Sequence, residues 1–255
     1  MSFITLPMSN FEPIQPATQK LNGLIELLHR SPDISPQHLK KIIEAANLSQ
    51  VDLLPWADFT HPVQDSYGRQ LVYDGGHFEI MVMSWLPRDF SAIHDHGSTQ
   101  WGAVQCFGKA EHYIYEFHDG SLCTLKSAPH TPGMVQTVDH DLIHQMGNRG
   151  TTPFLSLHIY GTAQPTASIT GNARIFDLWE GRIQYTDGGV FFQLSDAQIN
   201  RRDCQISGDL KTTLRHHSQL SDRLCQMLNE QYDSLLSQKL NLVGKTIDSL
   251  LFQIA

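Results

Sequence analysis

The sequence predicts a mainly β protein, a closed barrel or sandwich with helices at both ends, and three observations carry that reading. Short β-like runs broken by turn residues fill about residues 62–193. Helical periodicity flanks them on both sides, and neither βαβ alternation nor a glycine-rich phosphate loop appears. The expected organisation is an N-terminal helical cap over residues 1–60, a barrel over 61–194 and a C-terminal helical extension over 195–255.

In order along the chain, residues 17–50 predict two short helices. Leu21, Leu24, Ile25 and Leu28 recur at helical spacing; Ser35-Pro36 then offers an N-cap and first-turn proline ahead of Leu39, Ile42, Ile43 and Ala46. The runs QLVY, HFEIMVMSWLP, WGAVQCFG, AEHYIYEFHDG, SLCTLK and PFLSLHIYG follow as strands. Such a density of short strands points to a barrel or sandwich. Beyond Leu194 the strand pattern stops, and Leu210, Leu214, Leu224, Leu228, Leu235 and Leu236 fall near helical spacing. Their apolar stripe is expected to be buried against the barrel or in a homo-oligomer.

Bulk properties exclude several classes. A net charge of −8 argues against a nucleic-acid partner, which needs clustered Lys and Arg. No apolar run is long enough for a membrane span, and MSFITLPMSNFEPIQ lacks the basic start and apolar core of an export signal. Cys106, Cys123, Cys204 and Cys225 form no Cys-x-x-Cys pair, so a reducing, cytoplasmic setting is expected.

The most informative segment is SAIHDHGSTQWGAVQCFG. His94 and His96, at i and i+2, share one face of an extended segment, so both imidazoles can reach one ion. A third candidate, His144, follows apolar Leu142-Ile143 in PGMVQTVDHDLIHQMGN, with Asn148 four residues on. His140, its nearest competitor, sits in a polar Asp139-His140-Asp141 run that reads as a turn, and His77, His112, His118 and His130 likewise read as surface or turn residues.

This order of turns, strands and histidines resembles the two cupin motifs, with His94 and His96 in the first and Pro132-Gly133, His144 and Asn148 in the second. The resemblance implies a cupin double-stranded β-helix, a jelly-roll barrel. Cupins usually add a glutamate three or four residues after the second histidine, where this chain has Gln100 and Trp101. The implied ligand set is therefore three neutral imidazoles, leaving a divalent ion its full charge and open positions for an anionic ligand.

The stretch SYGRQLVYDGGHFEIMVMSWLPRDFSAIHDHG is similar to that of cysteine dioxygenases, as is LSLHIY to that family's Ser-x-His-x-Tyr. Ser156, His158 and Tyr160 alternate by two and share one strand face, so they can form a hydrogen-bonded row; a buried row that merely satisfies itself is the bland alternative. The resemblance implies Fe(II) as cofactor and a small-molecule thiol and O2 as substrates. It places Tyr160 beside the metal, with His158 and Ser156 orienting it, and Arg69, assisted by Tyr67, on the substrate carboxylate. Relatives that prefer 3-mercaptopropionate usually have glutamine at the Arg69 position, which favours L-cysteine and cysteine sulfinic acid as product. Animal members carry a cysteine, crosslinked to the tyrosine, where this chain has Trp101. Trp101 is accordingly a candidate pocket residue, unless a one-residue bulge brings Gly102 there instead. Open alternatives are another small thiol, a Zn, Ni or Mn cupin of different chemistry, and a non-enzymatic binding cupin.

Overall fold

The structure, a computed structural model, describes residues 18–31, 34–164, 166 and 168–253, with the backbone alone of Cys204. The segment read above for export signals lies outside these residues. Two helices come first. In α1 (Gln19–His29) the Thr18 hydroxyl accepts from Leu21 N–H, and in α2 (Pro36–Ala46) the Ser35 hydroxyl accepts from His38 N–H, each satisfying a donor that the first helical turn leaves orphaned. Leu21, Leu24, Ile25 and Leu28 of α1 and Leu39, Ile42 and Ile43 of α2 form buried stripes.

These stripes cover the outer face of a five-stranded sheet. Its members are β1 (Gly68–Asp74), β2 (Phe78–Trp85), β3 (Trp101–Cys106), β6 (Val135–Asp139) and β8 (Phe154–Gly161), in the order β1-β2-β8-β3-β6. Ile80, Val82, Ala103, Leu155, Leu157 and Ile159 meet the helices, while Met81, Met83, Val104 and Tyr160 belong to a second apolar cluster on the inner side. Both faces of β8 are buried, so all eight of its residues are. Each large apolar side chain removed from water contributes about 1.5–3 kcal/mol.

The opposing sheet is assembled in two parts. Strands β4 (Glu111–His118), β5 (Ser121–Ser127), β7 (Ile143–Gly147) and β12 (Ser207–Gly208) run in the order β12-β5-β4-β7, and β9 (Ala173–Asp177), β10 (Arg182–Thr186) and β11 (Arg201–Cys204) in the order β11-β10-β9. Bridges from Phe90 to Gly147 and from His94 to both His144 and Ile175 stitch residues 90–94 between the two parts. Two facing, mainly antiparallel layers result, with β12 alone added in parallel among the described strands, giving the cupin double-stranded β-helix.

Strand structure continues past Leu194, where the sequence pattern was read as ending. β11 is a charged edge strand, RRDC, paired to β10, and such edges carry no apolar signal. The tail then forms α3 (Leu210–Glu230) and α4 (Ser234–Phe252). Leu220, Leu224 and Val243 pack with Trp179 and Phe192, whereas Leu235, counted above in the apolar stripe, is exposed. Charge also docks α3: buried Arg223 pairs with Asp89, which accepts from His61 Nε2, and donates to the Val63 carbonyl. Among the described residues no helix is long and apolar enough to cross a membrane.

Candidate metal centre

Segment 90–96 and β7 are held together at the histidines themselves. His94 N–H donates to the His144 carbonyl and His144 N–H to the His94 carbonyl, both at 2.9 Å. Gly97, at φ +54°, lets the chain turn away: a Cβ there would lie 2.1 Å from the Gly171 carbonyl. Asp95, between the two histidines, braces the turn, accepting from Arg174 Nε and from the backbone N–H groups of Arg174 and Gly97.

One potential ligand atom from each of His94, His96 and His144 lies within 4.8 Å of the others, and all three side chains are buried. His140 stays outside, its Nδ1–H donating to the Thr99 carbonyl. Burial pulls the His94 pKa down to about 4 and those of His96 and His144 well below the ordinary range, with neighbouring imidazoles adding to the effect in the latter two. Neutral imidazole is the form that ligates a metal.

Hydrogen-bond directions sharpen the picture. His94 Nδ1 lies 2.8 Å from the Ala92 carbonyl, which only accepts, so Nδ1 carries the hydrogen and Nε2 is bare. His144 Nδ1 lies 2.8 Å from His112 Nε2, and His112 Nδ1 lies 3.2 Å from the Ala128 carbonyl. The carbonyl fixes the hydrogen on His112 Nδ1, so His112 Nε2 accepts and His144 Nδ1 donates. Two bare Nε2 lone pairs, of His94 and His144, thus face each other at 3.2 Å. His96 Nε2, also buried, has no hydrogen-bond partner among the described residues. Lone pairs gathered this way repel unless a cation lies between them, and three imidazoles suit iron, zinc and other first-row divalent ions.

The cavity beside them measures about 40 Å³ and is lined by Arg69, Tyr67 and Tyr160, with Met81, Met83 and Met146 on its apolar side. A single water-sized group takes roughly 10–15 Å³ of such space, so the ligand it admits is small. The Arg69 guanidinium makes no hydrogen bond or salt bridge among the described residues. Tyr67 Oη accepts from Val190 N–H at 3.1 Å, and its ring stacks on Trp85. Val190 and Gly188 close the cavity from a segment that sequence reading left without a role.

Ser156, His158 and Tyr160 form a continuous row, and the structure adds its origin, Trp85. Trp85 Nε1–H donates to Ser156 Oγ at 2.8 Å, Ser156 Oγ lies 2.7 Å from His158 Nε2, and His158 Nδ1 lies 2.9 Å from Tyr160 Oη. Indole is donor only, so Ser156 Oγ accepts from it; with Ser156 Oγ–H turned to His158 Nε2, His158 donates through Nδ1 and the Tyr160 hydrogen is left to point into the cavity. Burial holds His158 neutral, its pKa pulled down to about 3, and pushes the Tyr160 phenol up, so it stays protonated.

Trp101 does not line the cavity, which corrects the sequence expectation. It alternates with Gly102 on β3, and its indole lies over Gly161 in the layer beneath the N-terminal helices. Gly102 pairs with Tyr160 in an unbroken β3/β8 ladder, and a Cβ there would lie 2.7 Å from the Tyr160 ring. His112 and His130 are a second correction. Read as surface or turn residues, they are 5% and 3% exposed, and His112 contacts His144 directly.

A family model and sequence relatives agree on one family. The model of the family described as cysteine dioxygenase type I matches residues 8–170. The chain is 27% identical over 164 residues to "Cysteine dioxygenase type 1" of Danio rerio, covering 60% of this chain and 79% of that protein. It is 26% identical over 162 residues to the protein of the same name from Rattus norvegicus, covering 60% and 78%. A solved double-stranded β-helix protein from Klebsiella pneumoniae aligns at 14% identity and a TM-score of 0.34, over 45% of this chain and 90% of that one. The family match spans more than half of the sequence and includes His94, His96, His144 and the Ser156–Tyr160 row: the chain belongs to the cysteine dioxygenase type I family and is an oxidoreductase of the dioxygenase class.

Proposed function

We propose that the protein oxidises L-cysteine with O2 to cysteine sulfinic acid, using Fe(II) held by His94, His96 and His144. One observation carries the reading: bare imidazole lone pairs 3.2 Å apart border a small cavity that also holds Arg69 and Tyr160. Fe(II) in that position would supply the redox chemistry that lets dioxygen react with a neighbouring thiolate.

The chain's own groups do the rest. The Arg69 fork pairs with the substrate carboxylate in two parallel hydrogen bonds, fixing where sulfur lies. Tyr67, tied to Val190, limits the room beyond it. Tyr160 donates its remaining hydrogen to the carboxylate or to the reacting oxygen, while His158 Nδ1–H holds the phenol oxygen in place. In the overall reaction the S–H bond breaks and two S–O bonds form. Sulfur gives up four electrons, O2 accepts them, and the thiol proton leaves with the sulfinic acid or to solvent.

The test is anaerobic loading with Fe(II), addition of cysteine and then 18O2, and mass spectrometry of the product. Two labelled oxygen atoms on sulfur are expected. No oxygen uptake with cysteine overturns the substrate, and none across cysteine, 3-mercaptopropionate and cysteamine overturns the thiol dioxygenase reading.

A further inference from the structure

His112 sits on β4 behind the metal-site histidines and does not line the cavity. It therefore acts, if at all, through His144. Its Nδ1 hydrogen is anchored on the Ala128 carbonyl at 3.2 Å, which turns Nε2 toward His144 Nδ1 as an acceptor at 2.8 Å. The ring of His130 stands edge-on against it at 4.7 Å and 83°. His130 is itself fixed by paired backbone bonds to Ala110, so His112 has little room to rotate. The contrast with His94 is instructive: there the outer acceptor is a backbone carbonyl, Ala92, which no substitution removes. Among the described residues, only at His144 does a side chain do that work.

We infer that His112 is a positioning residue for the metal centre, the fixed acceptor that holds His144 in its Nδ1–H tautomer and aims its Nε2 at the ion. Such an outer partner raises the donor strength of the ligand, and its loss typically costs about 10–100-fold in metal affinity. The inference rests on the three-histidine site and not on the thiol reaction, so it is tested with metal alone.

Zn(II) and Co(II) affinities are measured by chelator competition, with the Co(II) ligand-field absorption as signature, for the wild type, His112→Leu and His112→Gln. Leucine removes the acceptor and is expected to weaken both metals by about 10–100-fold and to shift the Co(II) bands. Glutamine restores an acceptor and is expected to recover most of the affinity, while both variants are expected to lose similar stability in thermal unfolding. Unchanged affinity and bands in folded His112→Leu, or equal losses in both variants, overturn the role. Long-range 1H–15N spectra of the Zn(II)-loaded wild type need no variant to fold: hydrogen on His112 Nδ1 and His144 Nδ1 supports the inference, and hydrogen on His112 Nε2 overturns it. Metal binding with this dependence but without thiol oxidation would sink the proposed reaction and leave the His112 role standing.

Discussion

On β8, Leu155, Leu157 and Ile159 face the N-terminal helices, whereas Ser156, His158 and Tyr160 face the cavity. Neighbours in sequence therefore answer to different physics. The outer set is held by apolar contact and is fully buried, so its loss leaves a hole in the core. The inner set is held by directed hydrogen bonds that begin at Trp85, so its loss moves protons instead of volume. Stability and chemistry should separate residue by residue along one strand.

The sharpest contrast pairs two substitutions three residues apart. Leu157→Ala should cost about 2–5 kcal/mol in denaturant unfolding and leave the turnover of the folded fraction unchanged. Tyr160→Phe should lower kcat by about 10²-fold with little change in unfolding. If Leu157→Ala slowed turnover as much as Tyr160→Phe, the two faces would not be separable. Arg69→Ala comes next. Losing charge-assisted bonds of about 1.5–3 kcal/mol should raise KM for cysteine roughly 10–100-fold and leave cysteamine, which lacks a carboxylate, nearly unaffected; equal effects on both thiols would remove Arg69 from carboxylate binding.

The smallest effect lies where the tail docks. Burial opposes charge on His61, but the hydrogen bond and charge of Asp89 outweigh it, with the Pro62 carbonyl and Asp58 adding to the effect, and the pKa is raised. Arg223, facing the same carboxylate, is the other cation present. A raised folded pKa means that the stabilisation is complete below the ordinary histidine range and is lost as pH rises through the folded value. Thermal unfolding of the wild type should weaken over that interval, and His61→Gln should flatten the slope. Stability that increased with pH there would contradict the sign.

Much of this architecture is legible in the chain. Period-two alternation reveals the strands, the i, i+2 histidines reveal one shared face, and the leucine spacing with Ser35-Pro36 marks the first helices. What escaped reading depends on contacts distant in sequence. Asp95, between the two histidines, is claimed by Arg174 on another strand. His112 lies in EHYIYEFH, where the consecutive Tyr113, Ile114 and Tyr115 offer no period-two alternation that would have marked it as buried. Trp101 and Gly102 were ambiguous because one residue of offset in the turn before β3 exchanges the two faces, and only the pairing of Gly102 with Tyr160 decides it. Val190 closes the cavity through a bond to Tyr67, 123 residues away.

The account stands on three neutral imidazoles sharing one ion with room beside it for sulfur. X-ray absorption of the Fe(II)-loaded protein, before and after anaerobic cysteine, addresses that claim directly. Imidazole scattering from three ligands, joined by a sulfur neighbour when cysteine is added, is the predicted result. Iron with fewer imidazoles, or a spectrum that cysteine leaves unchanged, would contradict it.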